Sequence, residues 1–200
     1  RHAFANLREI AEIGLQAARA LAYAHGCQVM HRDIKPSNLY FANGRPESAV
    51  IMDFGIVRDL NAEQTTGNVP CTLDYAPPEI ILDENERGHA SMDIYALGLC
   101  LYEALTGKLC YGRLPSGLPG YTQFIQRVQS GVRPKFTDPS VRQDRKLVEL
   151  LDAMTALDPV KRLSSADVVA QALRDIIDGF EILLTGVFAV HQFQNLRHSL

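Results

Sequence analysis

The stretch HRDIKPSN, residues 31–38, is unusually rich in polar groups for its position between two apolar runs. It packs an acid, a base and an amide into eight positions, since Asp33, Lys35 and Asn38 all lie between the strand-like segments QVM and LYF. Burial of polar groups is costly unless they are paired. Three such groups beside a predicted strand therefore indicate a chemical task, and the remainder of the chain has to show which one.

The composition is that of an ordinary globular domain. The chain has 200 residues, of which 46% are hydrophobic and 22% charged, enough for one domain with a sizeable core. The formal net charge of −3 disfavours a general nucleic-acid binder, which usually carries a basic excess. The four cysteines include no C-x-x-C pair, which argues against a zinc site and favours a reducing, cytoplasmic setting.

The spacing of apolar residues predicts a mainly helical chain. Residues 4–25 carry one apolar stripe, Gly26 suits the left-handed position past a helix end, and His25 is interpreted as a capping or surface histidine. Residues 92–105 are apolar nearly all round, which is typical of a buried helix, and Gly107 should end it. Three more helices are predicted, near residues 121–130, 144–157 and 165–177.

A small antiparallel hairpin is predicted just after the polar stretch. The runs LYF (39–41) and AVIM (49–52) are strand-like, and NG at 43–44 between them is a strong turn signal. Residues 55–75 have no sustained periodicity and predict a long loop, which inside a compact domain is often functional. The expected fold class is therefore α+β, mainly helical, with one hairpin that carries the polar residues.

The open end of this hairpin is expected to gather the polar side chains. Because a hairpin brings its two ends together, Asp53, directly after the second strand, should come close to Asn38 and Asp33. A carboxylate and an amide oxygen suit Mg²⁺, a second carboxylate can receive a proton, and Lys35 adds a positive charge. Phosphoryl transfer requires such groups, because it consists mostly of positioning and charge neutralisation.

Two motifs in this order resemble the eukaryotic-type (Hanks-type) protein kinases. HRDIKPSN followed by DFG at 53–55 is similar to their catalytic loop and magnesium loop. CTLDYAPPE (71–79) resembles the segment that closes the activation loop, SMDIYALG (91–98) the central buried helix, and DPVKRLSS (158–165) the step into the last helix. The similarity covers about residues 4–177, and the residues of the motifs resemble those of the bacterial serine/threonine class.

The resemblance implies a role for each residue of the polar cluster. Asp33 would accept or orient the substrate hydroxyl proton, and Lys35 would contact the γ-phosphate of ATP. Asn38 and Asp53 would hold Mg²⁺. A lysine two residues after the aspartate is the usual choice of serine/threonine kinases, so Ser and Thr hydroxyls of proteins are the expected substrates. Tyr40 falls where an aliphatic residue commonly forms the floor under adenine, so its aromatic ring is a departure from the family pattern.

Further residues are implied to support the catalytic loop. His31 and Phe54 would pack in the hydrophobic column under the site, and Gly55 completes the DFG motif. Thr72 matches the threonine that hydrogen-bonds the catalytic aspartate and lysine. Asp93 would anchor the catalytic-loop backbone from the buried helix.

The resemblance also implies a buried ion pair and a means of control. Glu79 and Arg162 would pair and tie the activation segment to the helical core. Arg32 has no evident acidic partner nearby in sequence and can hold a phosphate through bidentate bonds. Thr65 and Thr66 on the long loop are therefore candidate phosphorylation sites.

The domain organisation expected from these motifs is a partial one. Residues 1–177 are interpreted as the large, C-terminal lobe of a kinase domain, and residues 178–200 as a tail or linker of unknown role. No segment matches a Gly-rich phosphate loop or a VAIK-like strand, so the small lobe is expected upstream of Arg1. The apolar stretch at 182–190 has about half the length of a membrane span, so a membrane link is expected only through parts outside this chain.

Two other functions stay open. One is a kinase-like scaffold that binds a partner protein without chemistry, whose expected signature is loss of Asp33, Asn38 or Asp53; none is lost. The other is a small-molecule phosphotransferase of the aminoglycoside type, which typically lacks the KP and APE-like segments approximated here at 35–36 and 77–79. The oligomeric state and the protein substrate are not predicted by any motif.

Overall fold

A computed structural model describes four stretches of the chain, residues 7–54, 73–81, 89–142 and 144–180. Its elements are helix α1 (Leu7–Gly26), strands β1 (Leu39–Phe41) and β2 (Ala49–Ile51), and helices α2 (Ala90–Thr106), α3 (Leu118–Gln129), α4 (Pro139–Arg142), α5 (Arg145–Met154) and α6 (residues 166–180). The described chain is thus mainly helical with one two-stranded antiparallel sheet. This confirms the predicted fold class.

The hairpin forms at the predicted place. Its strands pair with Leu39 opposite Ile51 and Tyr40 opposite Val50. The connection begins with a turn in which the Gly44 amide donates to the Phe41 carbonyl at 3.3 Å. The second strand is one residue shorter than predicted, and Met52 instead donates its amide to the Asn38 carbonyl at 2.9 Å.

Helix α2 lies at the centre of the domain. Every residue from Met92 to Tyr102 is buried, as its unbroken apolar pattern predicts. Helix α1 packs along it, and its apolar stripe fills the space between α2 and the hairpin. The core combines side chains from α1, the loop before β1, α2, α5 and α6, among them Leu15, Leu21, Ile34, Leu101, Leu151 and Leu173.

Two glycines permit close helix–helix approach. A Cβ atom on Gly14 of α1 would lie 3.0 Å from the Leu101 side chain of α2 and 3.1 Å from the Leu173 side chain of α6. A Cβ atom on Gly98 of α2 would lie 2.9 Å from the Thr155 side chain just after α5. A Cβ contact below 3.0 Å is essentially never seen, so the crossing at Gly98 requires the absence of a side chain, whereas at Gly14 the leucine side chains would have to shift by a few tenths of an ångström.

Helix α3 begins at Leu118, three residues before the predicted start near residue 121, and helices α5 and α6 end at other residues than predicted for identifiable reasons. Helix α5 ends at Met154, short of the predicted residue 157, because the carbonyls of Ala156 and Leu157 turn toward the Arg162 guanidinium (2.7 and 3.3 Å). Helix α6 continues past the predicted residue 177 through residue 180, where the Phe180 side chain packs against the core.

In the four described stretches, no helix is long and apolar enough to cross a membrane. The apolar stretch at 182–190 lies outside the described residues, as does nearly all of the predicted tail at 178–200.

Candidate active site

The polar stretch forms a buried loop between α1 and the hairpin. A short 3₁₀ turn, Pro36–Asn38, leads directly into β1. Three of the residues that sequence reasoning selected are buried, with His31, Asp33 and Asn38 exposed by 0%, 8% and 5%. Burial of this degree requires that each polar group has a partner.

Asp33 is the centre of the loop's polar contacts. The Lys35 ammonium donates to its carboxylate, with Nζ 2.7 Å from Oδ2. The Asn38 amide donates through Nδ2 to the Asp33 carbonyl at 2.8 Å and lies 3.5 Å from the carboxylate. The structure therefore brings together the carboxylate of Asp33, the ammonium of Lys35 and the amide of Asn38. The amide oxygen of Asn38 is the atom that can serve a cation.

Asp53 lies at the neighbouring corner of the hairpin. The bond from the Met52 amide to the Asn38 carbonyl places Asp53 one residue beyond the end of the ladder. Asp53 is exposed and has a φ of 60°, in the left-handed region that few residues other than glycine adopt. Non-glycine residues held there are frequent at active sites.

The donor set fits a magnesium ion that is shared with a substrate. The described stretches contain no group of three or more His, Cys, Asp or Glu side chains that could hold a metal alone. An amide oxygen on Asn38 and a carboxylate on Asp53 are hard oxygen donors, which Mg²⁺ prefers. Because Mg²⁺ normally keeps waters or binds substrate phosphates, two protein donors are sufficient.

A buried carboxylate on α2 supports the loop from below. Asp93, 1% exposed, accepts the His31 amide on Oδ2 at 2.9 Å and the Arg32 amide on Oδ1 at 2.8 Å. Arg32 has a φ of 66°, so this carboxylate stabilises a strained backbone. The Arg32 side chain is exposed and can reach other parts of the protein.

Sequence reasoning misjudged His25, which it placed at the surface or in a cap. Its side chain is 10% exposed, and Nε2 lies 2.8 Å from Asp93 Oδ2. Asp93 thus holds three donors. The two residues are 68 positions apart, and only the packing of α1 against α2 brings them together, so no local pattern could have indicated the contact.

His31 links the loop to the end of β2. Its Nδ1 accepts the Asp33 amide at 3.2 Å, and its Nε2 lies 2.7 Å from the Met52 carbonyl. Both bonds form together only when the imidazole is neutral with its proton on Nε2. The Phe54 ring packs edge-on against the imidazole, with centroids 4.7 Å apart. These contacts give His31 a packing role beside Asp33.

Glu79 and Arg162 are also brought together. The Arg162 Nη2 donates to Glu79 Oε2 at 2.7 Å, and Nη1 donates to the other carboxylate oxygen. Both side chains are almost completely buried, at 3% and 0% exposure. The guanidinium further donates to the Ser91 carbonyl and lies 4.8 Å from the centroid of the Tyr95 ring.

A second polar contact holds the stretch 73–81, which contains Glu79, and sequence reasoning missed this contact. The Tyr75 hydroxyl donates to the Glu103 carboxylate on α2. Burial, followed by this carboxylate, raises the pKa of Tyr75 well above its ordinary value, so the phenol stays protonated. The two residues are 28 positions apart and belong to unrelated motifs, which explains why no sequence signal pointed to them.

The outer face of the hairpin is apolar and open. Tyr40 is 55% exposed, and its strand partner Val50 is 44% exposed on the same face. Met52 and Phe54 continue this exposed surface toward the polar corner. An apolar surface therefore adjoins the two oxygen donors. The predicted roles of Gly55, Thr65, Thr66 and Thr72 lie outside the described residues.

Comparison with known proteins identifies the family. The sequence model of the protein kinase domain family matches residues 1–173. The chain is 33% identical over 174 residues to ribosomal protein S6 kinase alpha-3 of Mus musculus, covering 83% of this chain and 22% of that protein. It is 33% identical over 161 residues to serine/threonine-protein kinase PknJ of Mycobacterium tuberculosis, covering 78% of this chain and 26% of that protein. The chain thus spans about a quarter or less of the relatives it matches. Its motifs, its fold and these similarities agree, and the chain belongs to the protein kinase family.

Proposed function

We propose that the full-length protein is a serine/threonine protein kinase and that this chain supplies its base and its metal ligands. The proposal rests chiefly on one observation, the Asp33 carboxylate held 2.7 Å from the Lys35 ammonium beside the Asn38 amide. A base, a cation and oxygen donors around one point are what transfer of the γ-phosphate of ATP requires.

The chemistry of each residue follows from its position. The acceptor hydroxyl oxygen bonds to the γ-phosphorus while the bond from that phosphorus to the leaving ADP oxygen breaks, and Asp33 takes the hydroxyl proton. Lys35 balances the charge on the transferred group. Asn38 and Asp53 would hold Mg²⁺, which would supply neutralisation of the charge on the phosphate oxygens. Neutral His31 keeps the loop in register with β2 through its two hydrogen bonds.

The open face of the hairpin is the proposed site for the adenine of ATP. Tyr40 and Val50 offer a flat apolar surface that leads through Met52 to the corner with the oxygen donors. This order, apolar surface then oxygen donors, matches the order of base and phosphates in a nucleoside triphosphate. The aromatic ring of Tyr40 allows the base to stack on it.

Protein hydroxyls are the proposed acceptors. Lys35 stands two residues after Asp33, as is usual in serine/threonine kinases, and one relative is named a serine/threonine-protein kinase. The buried pair of Glu79 and Arg162 supports a protein kinase over a small-molecule phosphotransferase, since it fixes the segment typical of protein kinases. We propose a cytoplasmic location, no nucleic-acid partner, and a membrane link only through other parts of the full-length protein.

Regulation by phosphorylation is part of the proposal. The Arg32 side chain is exposed next to the catalytic aspartate, where a guanidinium can hold a phosphate bidentately. Thr65 and Thr66, in the stretch predicted to be a loop, are the proposed modified residues. Mass spectrometry of the active full-length protein would show a phosphate on one of them, and a protein active with both unmodified would contradict this.

Transfer from radiolabelled ATP to a generic protein acceptor tests the function. Full-length protein should label Ser or Thr, and Asp33→Ala should abolish the labelling. Asp152→Ala is the matched control, because this aspartate is exposed and pairs with exposed Arg133. A partner-binding scaffold would label nothing, and a tyrosine kinase would give phosphotyrosine.

A further inference from the structure

A second hydrophobic cluster lies apart from the main core. It contains Leu73, Ala76 and Phe124, which are 6%, 9% and 0% exposed. Partly buried side chains surround it, namely Ile80, Leu114, Tyr121 and Val128. The segment 73–81 therefore rests on helix α3. In addition, the Asp74 carboxylate accepts the Leu114 amide at 2.9 Å.

Arg127, on the same helix, is in an unusual environment. Its guanidinium carbon lies 4.1 Å from the centroid of the Tyr111 ring and 4.9 Å from that of the Phe124 ring. Among the residues that the structure describes, its buried Nη1 has no hydrogen-bond partner. Burial lowers the pKa of Arg127, which shows how unfavourable the site is for a charge. A buried unpaired donor is rare in native proteins and calls for an explanation.

The contacts of Arg127 continue to the other end of the segment. The Tyr111 hydroxyl lies 3.1 Å from the Tyr95 hydroxyl. The Tyr95 ring in turn lies under Arg162, which pairs with Glu79. One unbroken series of contacts thus starts under Leu73 and Ala76 at Phe124 and ends at Glu79.

We propose that Arg127 is a positioning residue that holds the segment 73–81 in place for binding of the protein acceptor. The planar guanidinium fits between the rings of Tyr111 and Phe124, and so joins both ends of the series. A lysine ammonium lacks the flat face needed for this. Arg127 touches no reacting group, so it acts through the segment. Only the kinetic consequence rests on the proposed function.

Hydrogen exchange in the full-length protein tests this without any phosphoryl transfer. Arg127→Met removes the charge and the orphan donor but keeps an apolar chain of similar length. Amides of residues 73–81 should then exchange about tenfold faster, within the range that a partly buried cation–π contact supports. Amides of α1 should be unchanged. Arg127→Lys should be intermediate. Arg133→Met is the matched control, since this nearby arginine pairs with Asp152 at the surface.

Steady-state kinetics provide the second measurement. Arg127→Met should raise KM for the protein acceptor severalfold while KM for ATP stays constant. The proposal is overturned if residues 73–81 exchange as in the Arg133→Met control, or if exchange accelerates equally in α1, which would indicate general destabilisation. Should the full-length protein prove inactive, the exchange result still decides the role of Arg127, whereas the proposed function fails separately.

Discussion

Glu79 and Arg162, 83 residues apart, form a bidentate ion pair in the interior of the domain. The guanidinium also donates to the carbonyls of Ala156 and Ser91, so one side chain joins the segment 73–81, the start of α2 and the end of α5. Ion pairs taken out of water contribute to stability only when such additional hydrogen bonds are present. Here they are present.

Removing one member of this pair should be strongly destabilising. Glu79→Ala leaves the buried Arg162 charge uncompensated, and we expect the free energy of unfolding to fall by about 3–5 kcal/mol. Urea unfolding of the kinase domain measures this. Glu149→Ala is the control, because it breaks an exposed pair with Arg145 and should change stability by about 0.5 kcal/mol or less. Equal effects of the two variants would show that the buried pair contributes little.

A second prediction concerns the carboxylate under the catalytic loop. Asp93→Asn replaces one acceptor oxygen by an NH₂ group that faces a backbone donor at His31 or Arg32. The strained loop should shift, and displacement of a catalytic group by about 1 Å can lower the rate about a hundredfold. We therefore expect kcat to fall by about ten- to a hundredfold. Asp152→Asn on the surface should leave kcat unchanged, and an unchanged kcat in Asp93→Asn would contradict the anchoring role.

Local pattern and tertiary packing contribute differently to what the amino-acid sequence can predict. The hairpin and α2 follow from strand-like runs and an unbroken apolar pattern, and the convergence of Asp33 with Asn38 follows from motif spacing. The contact of His25 with Asp93 depends instead on how α1 crosses α2. The stacking of Arg127 on Tyr111 depends on the path of the loop between α2 and α3, which has no periodic pattern.

Thiol reactivity should separate the cysteines by pH. Burial raises the pKa of Cys110 to about 11 and holds that of Cys100 well above its ordinary value, whereas Cys27 is exposed. Only the thiolate reacts, so at pH 8 about one Cys110 in a thousand is reactive. In a Cys71→Ser background, iodoacetamide at pH 8 should label Cys27 alone. Labelling of Cys110 should rise about tenfold per pH unit toward pH 11. Rapid labelling at pH 8 would contradict its burial.

Two glycine substitutions should change stability in opposite directions. Gly98→Ala places a methyl group 2.9 Å from the Thr155 side chain, and overpacking of this kind costs about 1–3 kcal/mol. Gly179→Ala in α6 meets no atom within 4 Å, so it should stabilise the domain by about 0.5–1 kcal/mol through helix propensity. Thermal unfolding measures both. Similar melting temperatures for the two variants would show that α2 and α5 can separate easily.

The 200-residue chain, assayed alone, should not turn over ATP at a useful rate. It carries the proposed base Asp33 and the proposed metal ligands Asn38 and Asp53, but no segment of its sequence matches a Gly-rich loop or a lysine-bearing strand that could cover the phosphates. Positioning of reactants is worth about 7–11 kcal/mol of barrier. Since each 1.36 kcal/mol is about tenfold in rate, even a third of that loss slows transfer about a hundredfold.

The open hairpin face allows a second test of the proposed upstream lobe. Exposed apolar surface such as that of Tyr40 and Val50 favours self-association and binds hydrophobic dyes. The chain alone should therefore bind such a dye, and the dye fluorescence should be weaker with the full-length protein. The decisive measurement compares phosphate transfer from radiolabelled ATP by the two proteins, each with its Asp33→Ala variant. Transfer by the longer protein only would support a correctly built but incomplete site. Robust, Asp33-dependent transfer by the 200-residue chain would refute the prediction, because one lobe would then suffice.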